Sequence, residues 1–99
     1  MLVYSVDNPN VAPLEMPARF RTDIAYFITP AGSSGAPKLP SNEYWIDLGD
    51  ARRWLEEGVV EVISPLDSMN ATEFEISEDQ ENWLRWLVDN EIQHVRVAP

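Results

Sequence analysis

Twice in this chain a helical pattern ends on a Trp-Leu pair, passes an acidic residue, meets a stop residue and runs straight into a strand pattern. The first instance is Trp54-Leu55-Glu56-Glu57-Gly58, followed by Val59-Val60-Glu61-Val62. The second is Trp86-Leu87-Val88-Asp89-Asn90, followed after Glu91 by Ile92-Gln93-His94-Val95. Gly and Asn are the residues that most easily adopt the left-handed conformation closing a helix, so Gly58 and Asn90 are the expected stops. Asp50 is the expected N-cap of a short helix over Ala51 to Glu57. Ser77-Glu78-Asp79-Gln80 has the spacing of a capping box and opens the second helix, whose apolar stripe is Trp83, Leu84, Leu87 and Val88.

Alternating segments precede each helix. Tyr44, Ile46 and Leu48 share one face of a strand over Glu43 to Leu48, and Thr72 to Ile76 alternates in the same way. Val59 to Ile63 and Ile92 to Val97 complete the set, and Leu66 to Ala71 reads as a turn. The order over residues 43–97 is therefore βαββαβ. The expected fold class is α+β, a mostly antiparallel sheet with two helices on one face, in the ferredoxin-like arrangement. In that arrangement each strand–helix–strand unit forms a parallel pair, a hairpin joins the units, and right-handed crossovers bring both helices to one side.

Residues 1–42 are different. They hold six of the eight prolines and balance three basic against three acidic residues. Leu2 to Val6 reads as a strand. Asp7 to Pro17 is too rich in proline for a helix or a central strand. Arg19 to Ile28 alternates, with Phe20, Ile24, Tyr26 and Ile28 on one side, and reads as a second strand. Residues 29–42 read as a mobile loop. Its Gly32-Ser33-Ser34-Gly35-Ala36-Pro37-Lys38 lacks the Gly-Lys-Ser/Thr ending of a phosphate loop. At 99 residues the chain is expected to form a single domain, long enough to bury a core without metals or disulfides.

All of the net charge of −10 lies in residues 43–99, which hold fourteen acidic and four basic residues. Such a field repels phosphate backbones and anionic membranes, so neither nucleic acid nor membrane is an expected partner. A protein partner, a basic one included, or self-association is compatible with it. The absence of cysteine excludes disulfides and thiol chemistry. With no basic segment before a long apolar run at the N-terminus, a cytoplasmic location is the expectation.

Candidate chemistry gathers on strand positions opposite the apolar ones. His94, the sole histidine, and Arg96 alternate with Val95 and Val97; Glu73 and Glu75 flank Phe74; Trp45 lies opposite Tyr44 and Ile46. If these strands are neighbours, the helix-free face of the sheet carries carboxylates, an imidazole, a guanidinium and an indole. Such a face suits ligand or partner binding, an acid–base pair of Glu73 or Glu75 with His94, or routine cross-strand ion pairing. Trp86 lies about 130° from the centre of its helix's apolar stripe at ~100° per residue. With Trp45 it is a candidate exposed anchor, whereas Trp54 and Trp83 fall on buried stripes. No HExxH, calcium-loop or nucleophile-elbow pattern occurs, so no metal, cofactor or catalytic residue is assigned. The leading expectation is a non-catalytic interaction or regulatory module. The alternative is a small-ligand-binding or enzymatic domain using the helix-free face.

Overall fold

The computed structural model describes residues 1–64 and 67–98, with side chains described outside 62–71. It is a small α+β domain with an antiparallel sheet and three helices. The order is β1 (Leu2–Ser5), β2 (Leu14–Glu15), α1 (Phe20–Ile24), β3 (Glu43–Trp45), α2 (Leu48–Glu57), β4 (Val59–Ser64), β5 (Asp67–Glu75), α3 (Glu78–Asp89) and β6 (His94–Ala98).

The strands do not assort as the βαββαβ reading expects. One sheet has the order β2-β1-β6-β3, and β4 and β5 form a second sheet by themselves. β3 lies antiparallel to β6, and β4 antiparallel to β5, pairings that a split βαβ arrangement also makes; what divides them into two sheets is that, among the described residues, β3 and β5 are not paired. β1 adds to the edge of β6 away from β3, pairing Val3 with Val97 and Ser5 with Val95, and β2 lies beyond it. From Asp67 on, β5 occupies most of the expected turn over Leu66 to Ala71; Leu66 itself lies outside the described residues.

The strand expected over Arg19 to Ile28 is a second correction. Phe20, Ile24 and Phe27 recur at helical spacing and are all buried, while Tyr26 is 48% and Ile28 37% exposed. The segment alternates and is helically periodic at once. Burying three residues on one helical face, rather than leaving Phe27 in water, resolves the ambiguity in favour of α1.

Helix ends follow local chemistry closely. Asp47, not Asp50, caps α2: its Oδ1 accepts from the Asp50 N–H at 2.9 Å. β3 is correspondingly short, and Leu48 belongs to the helix. Gly58 closes α2 at φ +73°. Ser77 and Gln80 form the expected capping box on α3. α3 ends in a Schellman motif, with the Ile92 N–H donating to the Leu87 carbonyl and the Glu91 N–H to that of Val88. The left-handed residue there is Glu91, at φ +52°, and not Asn90, at φ −106°.

The core is one cluster. Val3, Val95 and Val97 supply the sheet's inner face, Trp83, Leu84 and Leu87 come from α3, and Phe20, Ile24 and Phe27 come from α1 and the turn after it. Edge-to-face aromatic pairs bind the helices: Phe20–Trp83 at 5.5 Å, Phe27–Trp83 at 5.3 Å and Phe27–Trp54 at 5.2 Å. Such contacts add to the large apolar area these rings bury.

Candidate functional site

Two surfaces carry the chemistry that the sequence singles out. The first is the outer face of the four-stranded sheet. Its cross-strand rows follow from the register: Tyr4 and Glu43 flank Arg96, and Trp45 pairs with His94. His94 Nε2 and Glu43 Oε1 are 2.7 Å apart, both side chains being about one-fifth exposed. The Arg96 guanidinium lies 4.5 Å above the Tyr4 ring centroid, and the Trp45 and His94 rings are 6.0 Å apart. These groups satisfy one another, the imidazole with a carboxylate and the guanidinium with an aromatic face. Trp45 is half-buried, with its indole N–H buried and lacking a hydrogen-bond partner.

A polar frame holds this face in place. Gln93 enters β6 by accepting from Ile46 N–H through its carbonyl and from Leu48 N–H through Oε1, while its own N–H donates to Asp7 Oδ2. Thr29 anchors the outer edge of β3, donating its N–H to the Trp45 carbonyl and accepting the Asp47 N–H on Oγ1.

Glu73 and Glu75 do not join this face. Both lie on β5, in the separate two-stranded sheet, so the expected gathering of Trp45, Glu73, Glu75, His94 and Arg96 divides into two places. Trp86 stands apart from both, half-buried and packed against the core.

The second surface is the β4–β5 hairpin. Glu61 pairs directly with Glu73, and the next inter-strand pair, Val60 with Phe74, faces the other way. A small hollow beside Glu61 and Glu73 is lined also by Arg53, Trp54 and Glu57 of α2 and by Val59. It sets three carboxylates around one guanidinium, and Arg53 has its ion pair with Asp50, at 3.4 Å. On the opposite face Val60 is buried, but Phe74 is 53% exposed. Phe74, Val60, Tyr26, Glu75, Ser77 and Gln80 line a groove of about 220 Å³. Among the described residues no group of three acidic, histidine or cysteine side chains is placed to hold a metal ion.

Tyr26, Phe74 and Glu61 are absent from the sequence-derived candidates. A strand over Arg19 to Ile28 sets Tyr26 on the side of Phe20 and Ile24; the helical spacing of Phe20, Ile24 and Phe27 is the signal that turns it outward. Glu61 becomes notable only with the hairpin register that sets it against Glu73.

No family model, curated protein or solved structure matches this chain. Among the described residues no helix is long and apolar enough to cross a membrane.

Proposed function

We propose that the domain is a non-catalytic protein-interaction module that docks a basic, extended segment of a partner on the β4–β5 hairpin. The direct opposition of Glu61 and Glu73 carries the reading. Like charges facing each other across an antiparallel ladder oppose pairing, at a cost of about 0.2–1 kcal/mol. A hairpin of two strands is itself marginal in water. A cationic segment laid against this face removes the repulsion and covers exposed hairpin surface. β5 exposes Thr72, Glu73, Phe74 and Glu75 in succession, an uncommon run for a strand packed into a domain. Strand addition at an open edge is the mode that such a hairpin offers, because main-chain bonds then give affinity and alternate side chains reach both faces.

The charge distribution supports the same partner. The excess of carboxylates in residues 43–99 attracts basic chains over several ångströms and accelerates encounter at low salt. On the outer sheet face, by contrast, His94 is paired with Glu43 and Arg96 lies over the Tyr4 ring.

The test is calorimetric titration with an arginine-rich peptide at low and high salt. Saturable binding that weakens with salt, and weakens again in Glu61→Gln and Glu73→Gln, supports the module. Equal affinity in both variants removes the hairpin as the docking surface.

A further inference from the structure

The groove between Tyr26 and β5 combines two exposed aromatic rings with a carboxylate. Its floor is Val60, 2% exposed; its walls are Phe74, 53% exposed, and Tyr26, 48% exposed. Glu75 is the charged residue among its lining groups. Ser77 Oγ and Gln80 Oε1 both accept backbone N–H groups within the capping box, at 3.2 and 2.9 Å, so these two acceptors are already engaged. The groove therefore offers a bound group two aromatic rings, an apolar floor and one charged acceptor.

We infer that this groove is a receptor for a cationic side chain, an arginine of the partner segment. The inference rests on the reading of the hairpin as a docking surface for a basic chain. Aromatic faces attract cations through their quadrupoles. A guanidinium, planar and weakly hydrated, stacks on such a face while donating to a carboxylate, which an ammonium does less well. A neutral apolar anchor would leave the Glu75 carboxylate desolvated beside it, whereas arginine compensates that charge. Exposed large apolar side chains are few among the described residues, and Tyr26 and Phe74 are the two most exposed. Their placement on one groove, from elements far apart in the sequence, is what gives the surface its specificity.

The experiment is an NMR titration of the intact domain with a short capped peptide of alternating arginine and valine, against the same peptide carrying citrulline for arginine. Citrulline keeps the shape and removes the charge. The arginine peptide is expected to shift the amides of Tyr26, Phe74, Glu75 and Gln80 and to bind at least several-fold tighter than its citrulline counterpart. Tyr26→Ala and Phe74→Ala are each expected to weaken binding about two- to fivefold. Phe74→Leu, which keeps apolar bulk and tests the ring itself without risk to folding, is expected to lose a similar factor. Glu75→Gln is expected to narrow the preference for arginine over citrulline. If the aromatic variants bind the arginine peptide as well as the parent while Glu61→Gln and Glu73→Gln weaken it, the groove is not the receptor and the docking reading survives. If the two peptides bind alike, the cation preference is overturned. If neither binds, both the receptor and the docking reading fall.

Discussion

Phe27 meets Trp83 edge to face at 5.3 Å, and meets Trp54 in the same way at 5.2 Å. One ring thereby links all three helices, since Phe27 follows α1, Trp54 lies on α2 and Trp83 on α3. Its neighbour Tyr26 points to solvent. Phe27→Ala should lower stability by about 3–5 kcal/mol, in the range for truncating a buried aromatic. Tyr26→Ala should change it by no more than about 0.5 kcal/mol. Chemical denaturation of both variants checks the contrast; a larger loss at Tyr26 than at Phe27 would restore the strand reading of this segment.

The paired glutamates of the hairpin predict an opposition between stability and binding. Glu73→Lys converts a repulsive cross-strand pair with Glu61 into an attractive one. It should raise the unfolding free energy by about 0.5–1 kcal/mol while weakening the arginine-rich peptide. Thermal melts and calorimetry on the same sample read both effects.

Two left-handed helix stops give a matched pair of substitutions. Gly58 is at φ +73°, and a methyl group there would meet no atom within 4 Å, so Gly58→Ala tests the backbone alone and should cost about 1 kcal/mol. Glu91 holds the same kind of conformation at φ +52° with a side chain. Glu91→Gly should therefore stabilise the domain by up to about 1 kcal/mol, the two values being read from urea midpoints at constant slope.

The N-cap of α2 is assigned to Asp47 by its hydrogen bond to the Asp50 N–H. Asp47→Ala should cost about 1 kcal/mol, and Asp50→Ala markedly less. The reverse order in denaturation would return the cap to Asp50.

Local chemistry was the legible part of this chain. The capping box at Ser77, the Gly58 stop and the alternation of His94 and Arg96 with Val95 and Val97 each depend on a few adjacent residues, and each is observed. Strand partnership was not legible, because it depends on which distant segment completes a ladder. The short β1 carried too little pattern to show that it would pair with β6. The candidate site residues divide on the same ground. His94, Arg96 and Trp45 share the outer face as their strand phases require, and Glu73 and Glu75 left it when their strand paired only with β4. Tyr26 was hidden by a segment whose apolar spacing satisfies two periods at once.

The placement of β1 beside β6 bears on how the chain reaches its fold. Leu2 lies opposite Ala98 across the ladder, so the sheet's central pairing joins positions ninety-six residues apart in sequence. During synthesis α3 and the hairpin can organise from neighbouring residues, but β1 must wait, solvated, until the last strand has emerged. Such high contact order slows folding. The same adjacency means that a short linker from residue 98 to residue 2 would close the backbone into a ring, allowing new ends to be opened in a surface loop without disturbing the central strands.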